Sequence, residues 1–377
     1  MKILFYLRIV VMGGAERYLL TLLPELKKQN IEVGFYCTRQ HNNLEIIEYF
    51  ENHFRQFNIP VHICDATSPL SIKAAKNLNQ IINEHNYTIL SAHLIHAEII
   101  CALSKMLFKS SCRLVTTKHG YLQKFMDIHG LNHKKLNKFS LSYQVERSIQ
   151  FFVTKNFAVS KGLADFFTLS GMCKPSKMEV IYHGMEIGNN QDSVPVARYS
   201  ENQILVLGRL RKFKGHHFLI EALKIVAVEI PNFKLVIVGK GEEMENLQNM
   251  IENYKLGEWV VFAGYSDNVY EHINSCDVVI APSIAEPFGL VVLEAYSCGK
   301  PVVAFNVTAF NENVIDNETG CLASPFNTTA LAEKIIYLLH NKKLATQFGL
   351  QGKNLLKSKF SLHNSVTNTI SFFKNVY

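Results

Sequence analysis

The sequence lacks the features of a membrane-spanning, secreted or repeat protein. No apolar run approaches the roughly 18 to 20 uncharged residues that a membrane-crossing helix requires, so the chain is expected to be soluble or at most peripheral. The opening run from Met1 to Leu7 is broken by Arg8 and followed by Gly13-Gly14 with no small-residue cleavage site, so it reads as a first strand instead of a signal peptide. The eight cysteines (Cys37, Cys64, Cys101, Cys112, Cys173, Cys276, Cys298 and Cys321) are scattered and show no metal-ligand spacing. They are expected to be reduced core residues of a cytoplasmic protein. Low-complexity tracts and internal repeats are also missing, which excludes disordered chains and solenoids.

What is present is the composition of a globular enzyme: 48% hydrophobic and 19% charged residues over 377 positions. That length is about twice a usual single domain, so two domains are expected. Charge is shared unevenly between the halves. Residues 1–184 hold 22 Lys+Arg against 13 Asp+Glu, and residues 185–377 hold 17 against 19. The first half is thus +9 and the second −2. The basic half is densest from Lys118 to Lys161, with Lys134, Lys135 and Lys138 among aromatics. Such a stretch either attracts phosphates or an anionic leaflet, or is a solvated helix face. No recognised motif accompanies it, which argues against nucleic acid as a partner.

Short β-branched runs alternate with helical stretches throughout, the pattern of parallel sheets covered by helices on both faces. Strands are expected at Ile3–Tyr6, Glu32–Cys37, Val61–Ile63, Thr88–Ala92, Leu114–Thr117, Phe157–Val159 and Val180–Ile181, then at Ile204–Leu207, Leu235–Val238, Val260–Phe262, Val278–Ile280 and Val302–Ala304. The polar stretch from Gly184 to Gln203 reads as a linker. The expected architecture is α/β, with two Rossmann-like doubly wound domains facing across a deep cleft: 1–184, 185–355, and a closing helical segment 356–377. Ligands belong at the carboxyl ends of such strands, where the strand order reverses.

Several strand ends carry chemistry. Gly13-Gly14-Ala15-Glu16-Arg17 follows the first strand and opens a helix expected near Tyr18; it reads equally as an anion cradle or a plain turn. It is not a dinucleotide fingerprint, because the third glycine is missing. Arg209, Arg211, Lys212 and Lys214 crowd four cations between Gly208 and Gly215, which calls for solvation or an anion; Arg209 suits two phosphate oxygens and Lys214 a point contact. The Gly239-Lys240-Gly241 turn fits a nucleotide-contacting loop or a structural turn. Glu286-Pro287-Phe288-Gly289-Leu290 leads into a helix closed by Gly299, with Glu294 inside it. Eight residues on a helix differ by about 80° in direction, so Glu286 and Glu294 need not share a face. The first N–H groups of that helix, at Gly289 and Leu290, suit a phosphate between the two acids. His93 and His96 follow one strand and His119 another; His119 is the better candidate because it ends a strand before Gly120. His183-Gly184-Met185-Glu186 reads as a hinge.

These motifs together resemble glycosyltransferase family four over nearly the whole chain: the Gly13-to-Arg17 turn, the Gly208-to-Gly215 loop, Val238-Gly239-Lys240-Gly241, the Phe262-to-Tyr265 turn, and Glu286 and Glu294 at the family's carboxylate spacing. The resemblance implies a retaining GT-B enzyme that uses a UDP- or GDP-sugar as co-substrate, with no cofactor and no bound metal. It also implies roles for single residues. Arg209 and Lys214 would neutralise the leaving diphosphate, helped by Gly289, Leu290 and Gly14. Glu286 would bind the transferred sugar and Glu294 the ribose, with His119 touching the sugar; Gly13, Gly241 and Phe288 would line the substrate site. The Tyr182-His183-Gly184-Met185-Glu186 segment departs from the family's Asn-Gly-x-Asp pattern, so no ribose role passes to Glu186. The expected acceptor is a glycan or lipid-linked intermediate of cell-surface synthesis, reached from the cytoplasm with possible contact to the inner leaflet. The rival readings are a nucleotide-sugar epimerase on the same scaffold and a non-catalytic sugar-nucleotide or glycan binding module.

Overall fold

The computed structural model describes residues 1–10, 12–39, 44–66, 68–121, 126–127, 130–131, 136–188 and 193–377. The chain divides into two compact units. One comprises Met1–Tyr121, His133–His183 and His363–Tyr377; the other comprises Leu122–Asn132 and Gly184–Leu362.

In the first unit the chain runs β1 (Lys2–Arg8), α1 (Gly14–Lys28), β2 (Glu32–Arg39), α2 (Leu44–Arg55), β3 (Val61–Asp65), α3 (Ile72–His85), β4 (Ile89–His93), α4 (Leu94–Phe108) and β5 (Arg113–Lys118). A short antiparallel pair follows, β6 (Met126–Asp127) with β7 (Gly130–Leu131). Then come α5 (Leu141–Ile149), β8 (Val153–Ala158), α6 (Lys161–Leu169) and β9 (Met178–Val180). Seven strands form one parallel sheet in the order β3-β2-β1-β4-β5-β8-β9. Ile3 to Leu7 are all at most 1% exposed, as a central parallel strand covered on both faces requires. Serine caps start three of the helices: Ser71, Ser140 and Ser160 each accept a backbone N–H from the first turn of α3, α5 and α6.

The second unit runs β10 (Asn202–Leu207), α7 (His216–Glu229), β11 (Phe233–Val238), α8 (Met244–Asn253), β12 (Val260–Gly264), α9 (Val269–Ser275), β13 (Val278–Ala281), α10 (Leu290–Ser297), β14 (Val302–Phe305), α11 (Phe310–Asn313), β15 (Gly320–Ala323), α12 (Thr328–His340) and α13 (Lys342–Ser358). Its parallel sheet has the order β12-β11-β10-β13-β14-β15. The order reverses between β1 and β4 in the first unit and between β10 and β13 in the second, so each sheet has one switch point. The closing helix α14 (Leu362–Val376) presses Phe373 edge-on to Phe5 and Phe372 edge-on to Phe157 within the first unit. Arg113 donates to the carbonyls of Val376 and Tyr377.

The α/β class and the doubly wound sheets are those expected from the alternation. Several elements differ: the β6–β7 pair was not anticipated, and β9 begins at Met178 instead of Val180. β8 begins at Val153 instead of Phe157, and β15 was not anticipated, because Gly320 opens it and no β-branched residue lies in it. α1 begins at Gly14, ahead of Tyr18, because the Glu16 carboxylate turns back onto the Gly13 N–H at 3.1 Å and caps the first turn. All eight cysteines are free thiols, and all but Cys298 are buried. Among the described residues no helix is long and apolar enough to cross a membrane.

Candidate functional site

The second unit's switch point is built from three loops. After β10, Gly208 leads to an exposed Arg209 and a fully buried Leu210 that anchors the loop. The Leu210 N–H donates to the Lys240 carbonyl at 3.0 Å, and its own carbonyl accepts the Glu243 N–H at 3.0 Å. One 3-10 turn, Lys212–Lys214, then ends at Gly215, which holds φ +70° and starts α7. Only glycine fits there: a Cβ would lie 1.9 Å from the Pro282 carbonyl oxygen. The loop after β10 is thereby pressed onto the loop after β13, and the Ile284 N–H donates to the Phe213 carbonyl at 2.8 Å.

This contact brings Lys214 to Glu286, Nζ to Oε2 at 2.6 Å, with the two side chains 22% and 11% exposed. The third loop, after β14, fixes Glu286 by its backbone. The Glu286 N–H donates to Thr308 Oγ1 at 3.0 Å, and the Thr308 hydroxyl donates to the Glu286 carbonyl at 2.9 Å. Immediately beyond, Gly289 caps α10 with φ +87°. Its N–H and that of Leu290 precede the intrahelical ladder, where a helix offers donors and the positive end of its dipole to an anion. The motif thus assembles a half-buried cation, a carboxylate and a helix N-terminus in one place. Glu294 sits one turn inside α10, half-buried. The Phe288 side chain is a core ring, 3% exposed and edge-on to Phe360, and its carbonyl accepts from the Asn313 amide. Phe288 therefore has only backbone to offer a ligand. Gly239 and Gly241 have a packing reason of their own: a Cβ at either would meet the carbonyl oxygen of Gly208 or Leu210, at 1.9 and 2.2 Å. Glu186, in the segment read as a hinge, is exposed.

In the first unit, the switch point between β1 and β4 holds the Gly13-Gly14 turn and a cluster of histidines. The Gly13 N–H is taken by the buried Glu16 carboxylate, so Gly14, in the first turn of α1, is the open position of the pair. His93 Nδ1 lies 2.7 Å from His119 Nε2, and Ser91 Oγ lies 3.1 Å from His93 Nε2. His183 stacks on His119 with ring centroids 5.5 Å apart, and Tyr18 packs at 4.4 Å from His183 and 5.4 Å from His119. Burial pushes His93 and His183 down to about 3 and His119 well below the usual histidine range, so all three rings are neutral near pH 7. His96 is half-buried and is lowered by burial and then by Arg8, without joining the cluster. His183, read from sequence as part of the hinge, instead belongs to this cluster. Its position far along the chain carries no signal of that, whereas Ser91 and His93 share a strand face by period two.

The residue before His119 overturns part of the charge reading. Lys118 is 3% exposed and ion-paired inside the unit, with Glu98 Oε2 at 2.7 Å and with Glu146. It is a core residue and contributes nothing to a basic surface, because both carboxylates enclose it. Lys138 is exposed, whereas Lys134 and Lys135 lie outside the described residues. With Glu98 and Glu146 turned inward, α4 and α5 have no outward carboxylate, and a groove between them is lined by Ile99, Leu103, Met106, Leu141, Val145 and Phe152.

The chain was compared with known families and structures. The model described as Glycosyltransferase Family 4 matches residues 12–188, and the one described as Glycosyl transferases group 1 matches residues 190–355. A curated relative is N-acetyl-alpha-D-glucosaminyl L-malate synthase of Bacillus anthracis, 25% identical over 91% of this chain and 87% of that protein. Another is the N-acetylgalactosamine-N,N'-diacetylbacillosaminyl-diphospho-undecaprenol 4-alpha-N-acetylgalactosaminyltransferase of Campylobacter jejuni, 25% identical over 92% of both chains. Among solved structures, HepE of Anabaena in complex with UDP-glucose superposes over the full length of both chains with a TM-score of 0.80 at 22% identity, a likeness of fold. Taken with the two switch points, these matches make the chain a glycosyltransferase of family four, built on the GT-B fold.

Proposed function

We propose that this enzyme moves a sugar from a nucleotide diphosphate-sugar to a glycan or lipid-linked acceptor in cell-surface polysaccharide or glycolipid synthesis, with retention of anomeric configuration and without a metal ion. The observation that carries the reading is the Lys214–Glu286 pair at the N-terminus of α10, where a cation and backbone donors stand ready for a diphosphate beside a carboxylate suited to sugar hydroxyls. Arg209 and Lys214 neutralise the departing diphosphate, and the Gly289 and Leu290 N–H groups add to them. These fixed positive groups supply the charge that a divalent ion would otherwise bring. On diphosphate arrival Lys214 is shared between Glu286 and the phosphate, and the other carboxylate oxygen of Glu286 accepts from the transferred sugar. Glu294 holds the ribose, and Gly241 and the Phe288 backbone border the nucleotide. In the first unit Gly14, with Gly13 behind it, contributes to anion binding and His119 contacts the sugar. No side chain is placed as a nucleophile, which favours front-face substitution with the leaving phosphate taking the acceptor proton.

The relatives support a bacterial-type surface glycan: the Campylobacter enzyme's name specifies a diphospho-undecaprenol acceptor, and HepE was solved with UDP-glucose. We place the enzyme in the cytoplasm with a peripheral contact to an anionic leaflet through α4 and α5. Lys109, just past α4, and Arg147 of α5 are exposed, and Met106, Leu141 and Phe151 are exposed on and beside these helices. The test is a binding and turnover screen of UDP- and GDP-sugars with and without chelator, with and without anionic vesicles, followed by anomeric analysis of the product. Retained turnover in chelator, α-linked product from an α-donor and co-sedimentation with vesicles are expected. Loss of turnover with chelator or an inverted product would sink those parts of the reading. Interconversion of donor in the absence of acceptor would point to an epimerase instead.

A further inference from the structure

Ser91, His93 and His119 form a hydrogen-bonded line at the carboxyl edge of the first unit's sheet, and its proton order can be worked out. Ser91 and His93 are both 0% exposed, and Ser91 Oγ, His93 Nε2, His93 Nδ1 and His119 Nε2 follow one another at 3.1 and 2.7 Å across the two hydrogen bonds. The far nitrogen of the line, His119 Nδ1, is buried and has no hydrogen-bond partner in the protein.

Neutral imidazole carries one proton, so the line has two self-consistent arrangements. In one, the Ser91 hydroxyl donates to His93 Nε2, His93 Nδ1–H donates to His119 Nε2, and His119 keeps its proton on Nδ1. In the other every bond reverses: His119 Nε2–H donates to His93 Nδ1, His93 Nε2–H donates to Ser91 Oγ, and the Ser91 proton finds no acceptor in the line. The second arrangement leaves two buried groups unmet, the Ser91 O–H and the His119 Nδ1 lone pair. The first leaves only the His119 Nδ1–H. Since each unmet buried polar group is costly, the first arrangement prevails, and its one open position is a donor.

We propose that Ser91 and His93 are positioning residues that fix His119 as the Nδ1–H tautomer, so that it presents a hydrogen-bond donor to an oxygen of the bound sugar. The sugar contact rests on the function proposed above; the tautomer does not. His183 and Tyr18, packed against the His119 ring, hold its plane while the line holds its protons.

The test is long-range proton–nitrogen correlation spectroscopy on the full-length, ¹⁵N-histidine-labelled protein without substrate, with His119 assigned through His119→Gln, joined to steady-state kinetics. Wild type is expected to carry the His119 proton on Nδ1. Ser91→Ala and His93→Leu are expected to move it toward Nε2 and to lower kcat about tenfold with a smaller change in donor KM, the scale of one mispaired hydrogen bond. Ser91→Thr restores the hydroxyl and His93→Asn restores an N–H at the Nδ1 position, so both are expected to recover the tautomer and most of the turnover. A wild-type spectrum with the proton on Nε2 overturns the proposal, and that spectrum needs no variant to fold. So does an unchanged tautomer in Ser91→Ala and His93→Leu. If instead the tautomer is as stated and His119→Ala transfers sugar at the wild-type rate, the sugar contact fails and the proton order stands.

Discussion

Gly215 meets two demands at once, a left-handed backbone and contact with the Pro282 carbonyl, and through that contact Lys214 reaches Glu286. Gly215→Ala is expected to destabilise the protein by at least about 2 kcal/mol, because the left-handed penalty alone is roughly 1–2 kcal/mol per residue and the clash adds to it. A urea midpoint within error of wild type would show that the two loops can separate without cost. Glycines at motif positions were legible as turns, but whether a glycine serves a ligand or its own neighbours was not. Gly239 and Gly241 admit the backbone of the Gly208–Leu210 loop, a purpose that no spacing discloses. The positions of Arg209, Lys214 and Glu286 in loops at strand ends were legible from the pattern, whereas the Lys214–Glu286 pairing was not. Thr308, which holds Glu286 by both backbone groups, was not, since nothing in the run after β14 singles out one threonine.

Elements were read well where apolar patterning is continuous and poorly where a few atoms decide. The start of α1 depends on one carboxylate turning back, and β15 depends on Gly320 lying flat against Val302, where a Cβ would come within 2.1 Å of the Val302 carbonyl oxygen. The most consequential element pairing is β5 with α4 and α5, joined by Lys118 between Glu98 and Glu146. Lys118→Met leaves two buried carboxylates without their cation and is expected to cost about 3–5 kcal/mol. Adding Glu98→Gln and Glu146→Gln removes the stranded charge and is expected to recover most of the loss. Urea unfolding of the single and triple variants checks this. A single variant that loses under about 1 kcal/mol, the scale of an exposed pair, would mean that Lys118 does not compensate those carboxylates.

At the scale of the molecule, buried neutral histidines set an acid limit. Burial pushes His93, His183 and His216 down to about 3, whereas histidine in an unfolded chain titrates near ~6.5. Between those values the unfolded chain binds protons that the native state refuses, so this stability is present above about pH 6.5 and is lost as pH falls through the window. Glu98, raised by burial, acts in the opposite direction, but three histidines outnumber it. Each histidine is expected to contribute a slope of up to about 1.4 kcal/mol per pH unit, so the urea midpoint should fall from about pH 7 to about pH 5. A midpoint that holds or rises would mean that these rings are protonated or exposed in the native state. The sequence by itself determined the α/β class, the two doubly wound sheets and the strand ends where cations, acids and glycines gather, because periodicity and turn chemistry are local properties of the chain. Only the tertiary structure decided that Lys118 is a core cation, that His183 joins His93 and His119, and that Lys214 pairs with Glu286. Those outcomes depend on which distant side chains share a desolvated volume, and charge, burial and tautomer are set there by neighbours that sequence order does not specify.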